Sequence, residues 1–146
     1  MLPKFYRFIA VNNTGQTLTA VEGGLIALRF MPYKFGTTGA LEYGTVITDD
    51  VGQAATIADT VASEGDVQDN STNLYVGGHG TFDVTHDVDA AAGTYELYVE
   101  FCDASAGEWP SDGADFDVSI DLGGPICVLT IDNSAVDKNR VQNFVL

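Results

Sequence analysis

Tyr95-Glu96-Leu97-Tyr98-Val99-Glu100-Phe101 decides the fold class. Tyr95, Leu97, Val99 and Phe101 alternate with Glu96, Tyr98 and Glu100. That is the period of two of a strand with one face in a core and the other in water. The same alternation runs through Phe82, Val84, His86 and Val88 against Asp83, Thr85 and Asp87. It recurs in Phe116, Val118, Ile120 and Leu122 against Asp117, Ser119 and Asp121. A slip of one residue would turn each apolar set towards solvent, so the faces are fixed. The three runs predict a shared core of Phe82, Val84, Tyr95, Leu97, Val99, Phe101, Phe116, Val118, Ile120 and Leu122 between two antiparallel sheets.

Outward from these runs the chain reads as further short strands separated by turn residues. Phe5 to Val11 is a dense apolar run that ends at the turn signal Asn12-Asn13-Thr14-Gly15. Gln16 to Val21 returns from that turn. Leu25 to Met31 is expected as a strand ended by Pro32, and Leu41 to Thr48 as another. Leu74 to Val76 leads into Gly77-Gly78-His79-Gly80, read as a turn. Ile126 to Ile131 and Arg140 to Leu146 complete the set. Short strands in this arrangement define an all-β, antiparallel β-sandwich. Val51, Ala54, Ala55, Ala58, Val61 and Ala62 follow helical spacing after Asp49-Asp50, so one short helix near 51–62 competes with a loop packed on the sheet. Gly52 and the threonines weaken the helix. No linker or repeat interrupts the chain, which predicts a single domain over 1–146.

Six Lys and Arg stand against 21 Asp and Glu, a net charge of -15. Such a chain repels phosphate backbones and anionic bilayers, so neither nucleic acid nor a membrane is an expected partner. No apolar stretch approaches the ~20 residues of a spanning helix. Lys4 and Arg7 precede an apolar run too short for a signal peptide, and the expectation is synthesis in a cytoplasm without dedicated export. Cys102 and Cys127 fall in predicted strands and read as small hydrophobes, with a disulfide as the minority alternative in a reducing compartment.

Little in the chain suggests turnover. His79 sits among glycines with no nucleophile elbow or phosphate-loop Lys nearby, and His86 falls on the apolar side of its strand. The acidic stretch Asp103 to Asp121 holds Asp103, Glu108, Asp112, Asp115, Asp117 and Asp121. It could bind calcium but lacks an EF-hand spacing, and a solvated rim is the simpler reading. No catalytic, cofactor-binding or metal-ligating residue is therefore expected. Trp109, the only tryptophan, is held extended by Pro110. It could cap the core, anchor a protein interface or stack on a sugar. The terminal Phe144-Val145-Leu146 is apolar and suits a segment packed on a neighbour. Trp109, Phe144, Val145 and Leu146 are the candidate interface residues.

Three stretches carry a resemblance. They are Asn73 to Thr85, Tyr95 to Glu100 followed by Glu108-Trp109-Pro110-Ser111-Asp112-Gly113-Ala114-Asp115-Phe116-Asp117, and the closing Arg140-Val141-Gln142-Asn143-Phe144. Together they cover about the C-terminal half, and the Trp-Pro-Ser-Asp run is the most specific part. They resemble small proteins encoded among the structural genes of tailed bacteriophages. The resemblance implies a virion component, made in the host cytoplasm, and brings no catalytic or metal-binding residue with it. The expectation is a capsid decoration (cement) protein on the capsid exterior, bound to the major capsid protein and self-associating. A tail or neck protein is the second reading, and a carbohydrate-binding module for host attachment the third.

Overall fold

The computed structural model describes residues 1–19, 25–49, 51, 56–86, 93–104, 106–113, 115–117, 121–131 and 138–146. Its strands are β1 (Phe5–Asn13), β2 (Leu18–Thr19), β3 (Leu25–Phe35), β4 (Leu41–Tyr43), β5 (Ile47–Asp49) and β6 (Thr56–Ile57). They continue with β7 (Ala62–Glu64), β8 (Gln68–Asp69), β9 (Gly77–His86), β10 (Gly93–Cys102), β11 (Cys127–Ile131) and β12 (Lys138–Val145). Sheet 1 has the order β11-β10-β1, with β7 and β8 both beyond β1. Sheet 2 has the order β12-β9-β3, with β4 and β5 both beyond β3. A ribbon of β2 and β6 stands apart, and all pairings are antiparallel. The two sheets pack as a β-sandwich, as the alternation requires.

Between the sheets lie Tyr6, Phe8 and Ala10 of β1 and Tyr95 and Leu97 of β10, facing Ile26, Leu28 and Phe30 of β3, Phe82 and Val84 of β9 and Phe144 of β12. Phe30 stacks on Phe144 with centroids 6.0 Å apart, and Phe8 meets both rings edge-on. This aromatic cluster is the centre of the core, and it dictates the backbone beside it. A Cβ on Gly78 would overlap the Phe30 ring, and one on Gly80 would overlap Phe144 and the Arg29 carbonyl. Gly77-Gly78-His79-Gly80 is therefore not a turn. It is the start of β9, and its glycines leave room for two phenyl rings.

Pro32 likewise does not end its strand. Its carbonyl accepts from the Gly44 amide, so its ring nitrogen points to the same side, at the gap between β4 and β5. No ladder donor is needed there, and β3 runs on to Phe35. The helix weighed over 51–62 gives way, where the chain is described, to β6 and β7. Thr60 turns between them with φ of 63°, and residues 52–55 lie outside the described residues. Ile57 and Ala62 are used as ladder partners of Leu18 and Val11 instead.

The expected third alternating run is also different. Residues 110–112 form a 3-10 turn, and 116–117 and 122 are irregular. Leu122 packs on Ile9, Val11 and Tyr98, which is the outer side of sheet 1. Val118 and Ile120 lie outside the described residues, as does Val88. Val99 only borders the core, and Phe101, at the end of β10, is 47% exposed. Both cysteines are free. Cys127 pairs with Leu97, which places Cys102 five residues along β10, on the order of 16 Å away and beyond disulfide reach.

Candidate functional site

The two outer faces of the sandwich are finished differently. Over β1 the outer face of sheet 1 is covered by the chain itself, while Val128 and Thr130 of β11 stay exposed. Every residue of β1 from Phe5 to Asn12 is buried, on both sides of the strand. The cover is a strap formed by the described residues 106–113, 115–117 and 121–122, which follow β10 and include Trp109, Ser111, Asp112 and Leu122 against the outer side of the sheet. Arg7 pins it. Its guanidinium pairs with Glu100 through Nε, donates to Ser111 Oγ at 2.6 Å and meets Asp112 at 3.1 Å and Glu64 at 2.9 Å. The Ser111 hydroxyl and amide both donate to Glu100, at 2.8 and 3.1 Å. The Trp109 ring closes over the guanidinium, 4.7 Å away. Burial works against the charge on Arg7, but the Glu100 bond, then Glu64 and Asp112, outweigh it and hold its pKa above the ordinary value. Ser111 and Glu100 thus serve a cation; with no histidine in that set, they do not form a nucleophile relay.

Sheet 2 has no such cover among the described residues. Register and burial together define its outer face. Met31, His79 and Val145 stand in one row across β3, β9 and β12. Arg29, Thr81 and Asn143 form the next, and Ala27, Asp83 and Val141 the third. Towards β4 the face continues as Tyr33 beside Tyr43 and Phe35 beside Leu41. His79 meets the Tyr43 ring edge-on at 5.7 Å. Phe35, Leu41, Tyr43, Val46, Val141 and Val145 are all exposed, Val145 by 73%. An open depression of about 560 Å³ lies between Met31, His79, Val145 and Val46. At the described positions of this face Arg29 is the one cation and Asp83 the one anion. Asp83 Oδ1 is shielded from water and has no hydrogen-bond partner.

The sequence-derived candidates therefore separate. Trp109 is 6% exposed and Phe144 5%: one closes the Arg7 network and the other fills the core. Leu146 packs against the core and exchanges backbone hydrogen bonds with Gly78. Of the four, Val145 is the fully exposed one, and Leu146 is half-buried. His79 lies on the open face, and the side chain of His86 is outside the described residues. In the acidic stretch, Asp112 faces Arg7 and Asp121 accepts the Asp117 amide. Among the described residues no group of three His, Cys, Asp or Glu is placed to hold a metal ion.

Sequence reasoning passed over two features. One is Arg7, whose signal was a lone cation inside an apolar run. The other is the face itself, whose signal was the alternation Met31, Tyr33, Phe35 beyond Pro32. Comparison with protein-family models, curated proteins and solved structures finds no match.

Proposed function

We propose that this chain is a non-enzymatic structural protein of a virion, a capsid decoration protein that binds the outside of a phage head. The observation that carries the reading is the outer face of sheet 2, which no described residue covers and which is rich in exposed apolar side chains and formally neutral at its described positions, on a chain of net charge -15. Several exposed apolar side chains gathered on one sheet face mark a surface that works by contact. The acidic remainder suits an exterior position, facing water and away from packaged DNA. The virion setting comes from the resemblance of residues 73–85, 95–100, 108–117 and 140–144 to small tailed-phage proteins, which a tail or neck protein would share; the head exterior is proposed on the acidity alone. The major capsid protein is the corresponding partner. The sugar-binding alternative loses its platform, because Trp109 is spent inside the chain.

The test is to mix the purified chain with heads assembled without it and to sediment the mixture. Saturable co-sedimentation, at a copy number set by the shell lattice, is the expected result. Binding along tails instead would move the protein to the tail. Indifference to heads and tails, together with retention on a glycan array, would overturn the proposal.

A further inference from the structure

We infer that the outer face of sheet 2 is where two copies of this chain pair, with Arg29 of each copy set against Asp83 of the other. The inference rests on reading this face as a contact surface and not on the virion assignment. The first ground is charge. Two bodies of net charge -15 repel wherever their acidic surfaces meet, so copies can approach closely only through a neutral face. This face has one described cation and one described anion.

The second ground is the placing of those two charges. Arg29 lies opposite Thr81 and Asp83 opposite Ala27, so the two sit diagonally on neighbouring strands. A two-fold axis running between the faces and bisecting that diagonal brings each Arg29 over the other copy's Asp83. An isologous interface requires this kind of self-complementarity, in which residue i meets j and j meets i.

The third ground is that both groups are without a charged partner in the single copy. Arg29 is exposed, and none of the ion pairs of the described residues includes it. Asp83 Oδ1 is already withdrawn from water with no donor in reach. A guanidinium arriving from above pairs with the part of the carboxylate that stays accessible, and the desolvation of the group is partly in place beforehand. Tyr43, Val46, Val141 and Val145 are exposed in the single copy, and pairing of the two faces would bury them around the charges. The face is about 35 Å long and about 15 Å across at strand spacings. That footprint is on the order of 500 Å², below the ~800 Å² each partner gives to a standard interface, so the pair should dissociate on dilution.

Sedimentation velocity of the intact chain across a hundredfold dilution series tests this. The expected result is a monomer–dimer equilibrium. Arg29→Asp and Asp83→Arg should each weaken it at least tenfold, and the combined Arg29→Asp/Asp83→Arg chain should recover dimerisation. Circular dichroism melts verify that each variant folds. Val145→Asp, at the most exposed apolar position of the face, stands in if a charge reversal does not fold, and should also leave a monomer. A chain that is monomeric throughout overturns the inference, as does a dimer indifferent to all these changes. A monomer whose binding to heads is lost with Val145→Asp gives the face to the shell: the pairing fails and the contact reading stands. A monomer that also ignores heads removes both.

Discussion

Arg7 shows how one side chain decides what a surface becomes. It is the only charge in the run Phe5 to Val11, on a strand buried on both sides, and Glu100 faces it with its side chain 0% exposed. Removing one member of a buried pair leaves the other charged and unsolvated, which costs about 3–5 kcal/mol. Arg7→Met should therefore lower the unfolding free energy by roughly that amount in urea titrations. Replacing both, as Arg7→Met/Glu100→Leu, should return most of the loss, because no orphan charge remains. A double variant as unstable as Arg7→Met alone would show that Ser111, Asp112 and Trp109 need the cation itself. From the sequence, Arg7 was legible as an anomaly but its partners were not. Glu64, Glu100, Ser111 and Asp112 are brought to it by pairing and by the strap, neither of which has a local sequence signal.

At the scale of elements, alternation alone did not separate a strand from a cover. Residues 95–101 and 116–122 share the same period of two, yet one lies within β10 while the described residues of the other, 116–117 and 121–122, belong to the strap. The difference lies in what each could pair with. The place beside β10 is taken by β11, while Ile9, Val11 and Tyr98 on the outer face needed burying. Pro110, with no amide proton, further suits an irregular path. Glycine was misleading in the opposite direction. Local chemistry makes Gly77-Gly78-His79-Gly80 a turn, and only the distant Phe30 and Phe144 rings make it a strand. Gly78→Ala keeps an allowed strand geometry but drives a methyl into Phe30, and overpacking of this kind costs about 1–3 kcal/mol. Pairing it with Phe30→Leu should relieve the clash, so that the double variant loses less than the two single losses combined. Strict additivity in thermal melts would show that the ring and the glycine are independent.

The whole molecule is an acidic shell around an aromatic centre, and its response to alkali follows from that. Tyr6 lies within the core against Phe8 and Phe30, and burial, then the neighbouring Tyr75, pushes its hydroxyl up to about 12 from the ordinary 10.0. Tyr98 is raised as well, first by burial and then by its bond to Glu96. Below pH 10 both the folded and the unfolded states keep the Tyr6 proton, and its contribution to stability is complete. Between pH 10 and about 12 the unfolded chain gives up that proton first, so stability falls across this window. Tyr6→Phe should shift the alkaline unfolding midpoint to higher pH while the melting temperature at neutral pH changes little. An unmoved midpoint would place the sensitive group elsewhere. Fold class was legible at this scale because hydrophobic alternation is averaged over many residues. The open outer face of sheet 2 was not, since Phe35, Tyr43 and Val145 come to one face only through the order β12-β9-β3-β4. The strap has one more consequence, an optical one. The chain has a single tryptophan, and Trp109 is held against a guanidinium on the outside of sheet 1, away from the core between the sheets. Its emission therefore reports the docking of one segment, while far-ultraviolet dichroism reports the strands. Peeling of the strap would redden the fluorescence and leave the dichroism unchanged, so the two signals read local opening and global unfolding in the same cuvette without an added label.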